Sequence, residues 1–509
     1  MKKNIRFAKK YFKLNPLKKL AGQTAIYGLP TIIGRLLNYF LLPLYTRVFL
    51  TEEYGVVTEL YAYIAFLMVI LTYGMETAFF RFSTKEKGND DVYNTSVISL
   101  LFSSVFFIIL TWIFAGSIAN ALGYNGNSSY FVWFAWILGL DALSSIPFAR
   151  LRQENKAKRF AFLKSVNIGL QIGFNLFFIV LCPWLDKIST GLPINNILRL
   201  VYSPDVRVAY IFISNLLASI ITLVLLLPEI ISIKFRFNKA LWIKMIQYSF
   251  PIMIWGMAGI VNETFDRILL KHLIPESQHP MSQLGIYGAC YKIAILMTLF
   301  IQTFKFAAEP FFFSQSEKSD AKRVYADVML YFIMICSLIF LGVMLYIDIV
   351  MGLVGKDYRS GAGIVPILLL ANLCLGVFYN LSIWYKITDQ TKFGAYISMI
   401  GAAITLILNF IMVPTMGYMG AAWATLICYF SIMFISYLLG QKYYRIDYNL
   451  KKIGLFLGLA LLLYFISILL NLDAGFLKFV IHTFLLLIYV VVVLFSEKDK
   501  LKLIISHRV

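Results

Sequence analysis

The sequence predicts an all-α, polytopic membrane protein with about fourteen transmembrane helices. Three observations predict it: an apolar composition, repeated apolar runs, and basic residues gathered between alternate runs. Of 509 residues, 60% are hydrophobic and only 14% charged, with mean hydropathy +0.77. A soluble domain is about half apolar and a quarter charged. Much of this surface must therefore face something other than water. The runs are near the ~20 residues that cross ~30 Å of hydrocarbon as a helix. Backbone in lipid must satisfy its own hydrogen bonds. The runs are apolar all round and too long for the alternating strands, about ten residues each, of a membrane barrel.

The spans are expected at 21–46, 55–79, 94–118, 129–149, 160–183, 208–232, 246–270, 284–304, 325–347, 361–384, 393–414, 418–440, 453–471 and 475–496. With a cytoplasmic N-terminus, the inner segments hold 34 Lys and Arg and the outer segments 7. That asymmetry follows the positive-inside rule and places both termini in the cytoplasm. The net charge of +20 is then a topology signal, and no nucleic-acid partner is expected. The start of the chain (Lys2, Lys3, Arg6, Lys9, Lys10) lacks the uninterrupted apolar core of a cleavable signal, because Pro30 and Arg35 break its first long apolar segment. Residues 1–17 read either as a surface-lying helix or as a basic tail. The longest outer segment, 184–207, is expected to form a small cap.

Cys182, Cys290, Cys336, Cys374 and Cys428 are scattered singly through apolar runs and read as small core residues. The histidines, His272, His279, His482 and His507, are dispersed. No metal or cofactor is expected, and a membrane enzyme ranks last among the functions considered.

The halves resemble each other. Tyr27-Gly-Leu-Pro30 opens span one and Tyr248-Ser-Phe-Pro251 opens span seven. Gly55 with Tyr61 leads span two, and Gly285 with Tyr291 leads span eight at the same spacing. Both second spans end in aromatic residues beside charge: Glu76, Phe79, Phe80, Arg81 in one, and Lys305, Glu309, Phe311, Phe312 in the other. A parallel six-plus-six repeat follows, of the kind transporters use. The expected organisation is a basic N-terminal segment 1–20, an N-lobe 21–232, a cytoplasmic linker 233–245 with Lys234, Arg236, Lys239 and Lys244, a C-lobe 246–440, and two surplus helices with a basic tail over 441–509. The surplus helices read either as an extension of a lipid-facing groove or as packing on the outside, with packing the slightly favoured reading.

The run Leu29-Pro30 through Arg35 to Leu42-Pro43-Leu44-Tyr45-Thr46-Arg47-Val48-Phe49, followed by Glu53-Tyr54-Gly55, resembles Wzx-type polysaccharide flippases of the multidrug/oligosaccharidyl-lipid/polysaccharide superfamily. The resemblance extends over essentially the whole chain, and its opening run is the most specific part. It implies two six-helix lobes around a central cavity and alternating access. It also implies a bacterial cytoplasmic-membrane location and an undecaprenyl-pyrophosphate-linked oligosaccharide as cargo for cell-surface polysaccharide. The implied partners are that substrate, membrane lipids and polysaccharide polymerase machinery, with H+ or Na+ coupling.

Charges inside a bilayer cost about 2.5–3.5 kcal/mol each by insertion scales and generally face a cavity or a partner. Arg35 lies mid-way along span one, and its planar, permanently charged fork suits a pyrophosphate. Lys292, Lys164, Arg81 and Lys305 are further candidate anion contacts, the last two at the inner membrane edge where head groups compete for them. Span seven carries Glu263, Asp266 and Arg267 at spacings that share one helical face. They are candidate coupling residues, with Glu76 and Asp141 nearer the inside; the bland reading is a structural salt-bridge cluster. Lys292 is equally a partner for Asp266. Tyr39, Tyr61, Tyr291 and Tyr385 are candidate sugar-stacking rings, with plain packing the simpler role for each. A multidrug antiporter of the same fold would want an acid on span one, where this chain has Arg35. A lipid II flippase is a close variant of the main reading.

Overall fold

The computed structural model describes residues 34, 36–37, 39–85, 90–188, 194–231, 233–316, 318–473 and 475–498. Arg35, the N-terminal segment and most of the first expected span lie outside the described residues. Among the described residues the regular structure is helical, with no strand. Among the described residues, twelve helical segments are long and apolar enough to cross a membrane. The seventh expected span is one helix, Lys239–Leu273, of 35 residues. Its charges, Lys239, Lys244, Glu263, Asp266, Arg267 and Lys271, lie toward its two ends, and the stretch 245–262 between them is free of charge but holds the polar Gln247, Ser249 and Asn262. The protein is a multi-pass membrane protein.

The helices used below are α1 Leu42–Val48, α2 Thr51–Thr72, α3 Met75–Lys85, α4 Asp90–Ala121, α5 Ser128–Gln153, α6 Ala157–Leu176, α7 Tyr210–Leu225, α8 Lys239–Leu273, α9 Pro280–Gln315, α10 Ala321–Leu345, α11 Val365–Leu381, α12 Lys392–Met416, α13 Tyr418–Tyr443, α14 Leu450–Leu469 and α15 Phe476–Ser496. Contacts divide the chain into two compact units, residues 1–271 and 272–509. All but the last two residues of α8 thus belong to the first unit.

In the first unit, α2 begins where the Glu53 carboxylate takes the backbone N–H of Leu50 at 2.9 Å, satisfying an orphan donor of the helix start. Arg207 pairs with the same carboxylate at 2.9 Å. The Glu-Tyr-Gly run is therefore partly a cap, and its Tyr54 is wholly buried. Between α2 and α3 the chain turns through Tyr73 and Gly74, both in left-handed conformation. Gly74 is needed twice over: its φ is +69°, and a Cβ there would stand 2.9 Å from the Ser249 carbonyl of α8. The α8 helix lies against α2 and α3 along much of its length. Phe265 meets Phe66, a Cβ on Gly256 would touch Val69 at 3.3 Å, and Tyr248 meets Phe82. The core beneath this turn joins Met75, Phe79, Tyr93, Val97, Ile146, Leu241 and Met245. On α4 the exposed stripe Phe102, Phe106, Ile109 and Ile113 repeats at helical spacing; in a bilayer it faces lipid.

In the second unit, α10 and α11 cross closely at Gly376, where a Cβ would come within 2.5 Å of the Phe332 ring. The last two helices, α14 and α15, pack on α10 through Leu341, Leu345, Ala460, Leu463, Leu485 and Tyr489. Their polar residues fasten this joint. Lys478 pairs with Asp348 at 2.7 Å, His482 Nδ1 meets the Leu345 carbonyl, and Lys452 pairs with the buried Glu497.

Candidate functional site

The first unit contains a polar seam that charge alone does not reveal. On α6, Lys164, Asn167, Gln171 and Asn175 fall three or four residues apart and so share one face. They extend over about 16 Å of helix. Asn167 donates to Thr222 Oγ1 at 2.8 Å, and Gln171 donates to Asn215 Oδ1, both on α7. Asn215 in turn donates to the Tyr61 hydroxyl on α2 at 3.2 Å. Tyr45, on α1, donates to Asn175 Oδ1 at 2.8 Å. Asn175 is buried, whereas Lys164, Asn167 and Gln171 are half-buried. In an apolar medium these amides hold each other because an unpaired one would be costly. Amides can also exchange partners with hydroxyl groups, since they both donate and accept.

At the seam's Lys164 end lie charges of α3 and α5. Lys164 Nζ sits 4.1 Å from the centre of the Phe148 ring and within electrostatic range of Asp141, Glu76 and Arg152. Asp141 accepts from Ser219 at 2.8 Å. Glu76 pairs with Arg152 at 2.6 Å, and Arg152 also lies over Phe80. The Arg81 guanidinium stacks on Tyr248, 3.9 Å from the ring centre. Thus Lys164, Asp141 and Glu76, singled out in the sequence, come together, and Arg81 sits on an aromatic platform of α8.

The span-seven triad is dispersed in its surroundings. Glu263 is exposed, Asp266 is buried with Oδ1 on the backbone N–H of Arg267 at 2.8 Å, and Arg267 is half-buried. The charge on α8 with the most enclosed partner is instead Lys271. It bonds Glu59 of α2 at 3.0 Å and the Leu122 carbonyl, and lies 4.1 Å from the Tyr124 ring centre. Tyr124 donates to the same Glu59 carboxylate. Burial, and then the adjacent Glu59 carboxylate, hold the Tyr124 phenol well above its ordinary range. The sequence placed Lys271 in an outer loop and passed over Glu59. A lone acid inside an apolar run was the available signal.

In the second unit, Lys292 is half-buried on α9. Lys305, exposed, lies 4.5 Å from the Tyr379 ring centre. It lines a cavity of about 20 Å³ with Asn380, Tyr379 and the Lys386–Glu309 pair, whose charges are 2.7 Å apart. That volume holds about one water. It is too small for a sugar. Tyr385 is buried beside Trp384, and Tyr291 neighbours Tyr287.

Among solved structures, the fold is shared with the lipid II flippase MurJ in an inward closed conformation, with TM-score 0.66 and 16% identity over 93% of this chain and 99% of that one. It is also shared with inward-facing and outward-facing structures of a multidrug resistance MATE family transporter of the MOP superfamily, each with TM-score 0.58, at 14% and 13% identity; both cover 83% of this chain, and 93% and 95% of theirs. No curated protein sequence matches. The family described as polysaccharide biosynthesis protein matches residues 20–316, more than half of the chain. The chain therefore belongs to the polysaccharide biosynthesis protein family.

Proposed function

We propose that this protein is a flippase that moves a lipid-linked oligosaccharide across the bacterial cytoplasmic membrane by alternating access between two lobes, with both termini in the cytoplasm. The observation that carries the reading is the half-buried seam of α6, where sugar-competent amides lie beside the cation Lys164. A pyrophosphate-linked glycan needs both: cations for the anionic head and exchangeable hydrogen-bond partners for the hydroxyls. Arg81 supplies further positive charge, Arg35 is assigned to the pyrophosphate by its place in the first apolar span of the sequence, and Lys292 and Lys305 are the candidate anion contacts of the second unit. Membership of a polysaccharide biosynthesis family supports the cargo class, and the fold shared with a lipid II flippase supports the transport. Polymerase machinery is the natural consumer of the delivered glycan.

A cation antiporter of the same fold is the second reading. Against it, four acids of the first unit are matched by bases: Glu59 by Lys271, Glu76 by Arg152, Glu53 by Arg207, Glu229 by Arg159. Coupling to H+ or Na+ falls to Glu263 and Asp266, with Arg267 beside them.

The test is reconstitution of the full chain in proteoliposomes containing a fluorescent undecaprenyl-pyrophosphate oligosaccharide, read by loss of leaflet protection. Protein-dependent movement of that lipid, and not of a cationic dye, is expected. Movement of the dye alone would overturn the reading. Arg35→Ala is expected to slow transport and Arg35→Lys to restore part of it. Unchanged ion dependence in Glu263→Gln with Asp266→Asn would remove those two from coupling.

A further inference from the structure

A second cavity lies between α4 and the start of α8. Its volume is about 530 Å³, and Tyr73, Ser99, Phe102, Trp242, Phe250 and Met253 are among its walls. Its hydroxyls already donate within the wall or to their own helices, Ser103 to the Leu100 carbonyl and Ser249 to that of Ile246. The Tyr73 hydroxyl and Ser99 Oγ are 2.6 Å apart, and Trp242 Nε1 donates to Ser99 at 2.7 Å. The wall therefore offers rings and hydrocarbon to an occupant. Apolar hollows of this kind are poor hosts for water. A glycan would find too few donors here.

The approach to this groove is basic. Residues 233–239 run over the first turns of α4, where the Lys234 N–H bonds Asn94 and the Asn238 N–H bonds Thr95. Thr95 precedes Ser99 by one helical turn, about 6 Å. Lys234, Arg236 and Lys239 are exposed in this strip, and so are Phe235 and Phe237, the former at 83%. Rings interleaved with cations at the end of an apolar span are an interfacial pattern. A cationic rim one turn from an apolar groove matches a phosphate joined to a hydrocarbon chain.

We infer that this groove binds an anionic phospholipid of the surrounding bilayer, its phosphate at Lys234, Arg236 and Lys239 and an acyl chain between α4 and α8. The site is separate from the α6 seam and stands without the proposed cargo. Because α8 presses on the Tyr73–Gly74 turn beside it, the bound chain rests against the joint between α2 and α3.

The experiment uses the full chain in detergent with brominated lipids. Trp242 lines the groove, so bromine on an acyl chain seated there quenches its fluorescence. Brominated phosphatidylglycerol is expected to quench at mole fractions on the order of tenfold lower than brominated phosphatidylcholine. That quenching component is expected to vanish in Trp242→Phe. Combined Lys234→Gln, Arg236→Gln and Lys239→Gln is expected to erase the preference, and Met253→Trp to reduce phosphatidylglycerol retained in native mass spectrometry. Equal quenching by both lipids in the wild-type chain would overturn the site, and needs no variant to fold. Displacement by a polyprenyl phosphate at lower concentration than by phosphatidylglycerol would assign the groove to the cargo and overturn it as well.

Discussion

Two ion pairs on the same apolar segment, Thr51–Thr84, do different jobs. Glu59–Lys271 is enclosed, with the acid 0% and the base 14% exposed. Glu76–Arg152 is open, with both side chains 41% exposed. The chemistry is the same, yet burial changes the consequence of losing a partner. An enclosed charge without its counter-ion is stranded away from water, whereas an open pair is screened and worth little. The enclosed pair fixes α2 to α8. The open pair sits beside Lys164, where its charges remain available to a ligand.

The largest expected effect is therefore at the enclosed pair. Glu59→Ala leaves Lys271 buried without a carboxylate and is expected to cost about 3–5 kcal/mol, read as a lowered thermal midpoint of the purified protein. Replacing both partners by Met is expected to recover most of that loss. Equal midpoints for the single and double variants would break the contrast. Next comes the seam. Gln171→Leu removes the donor to Asn215 and is expected to cost about 1–3 kcal/mol. Asn215→Leu added to it removes the unpaired amide but also the donor to the Tyr61 hydroxyl, and is expected to recover part of that stability without restoring transport.

The open pair ranks lower. Glu76→Gln or Arg152→Gln is expected to change stability by less than about 1 kcal/mol, with the difference shrinking in high salt. A loss as large as that at Glu59 would erase the distinction. The smallest effect concerns Glu154, which pairs with Arg150 and Lys156 at 2.7 Å each. Partial burial tends to raise its pKa, but hydrogen bonds and charge from Lys156 and Arg150 outweigh it and hold the pKa below its ordinary value. A group depressed in the folded state contributes above its unfolded pKa and loses that contribution as pH falls through its folded one. Glu154→Gln is thus expected to flatten the acid limb of a stability–pH curve by a few tenths of a kcal/mol, about what a partly exposed pair gives.

The spans were legible because an apolar run of membrane length admits few other folds. The seventh was the hard one. Its helix reaches Leu273 and carries charge toward both ends, so Lys271 read as loop when it is the partner of the buried Glu59. The turn at Tyr73–Gly74 was hidden inside one continuous apolar stretch; only the positive φ values expose it. Of the candidate site, Lys164, Asp141 and Glu76 were found through their charge. Asn167, Gln171 and Asn175 were missed because neutral amides do not stand out in a charge count, although their spacing from Lys164 was readable. What no spacing could supply is the partner list on α7 and α2, which depends on how three helices meet.

The most direct test of the account is transport measured against stability at Lys164. Flipping of the fluorescent lipid-linked oligosaccharide is compared for wild type, Lys164→Gln, and Lys164→Gln combined with Asp141→Asn, which leaves no stranded acid. The account predicts that both variants slow transport on the order of tenfold, the size of one lost charge-assisted contact, while the double variant keeps the wild-type thermal midpoint. Wild-type transport by a stable double variant would contradict it.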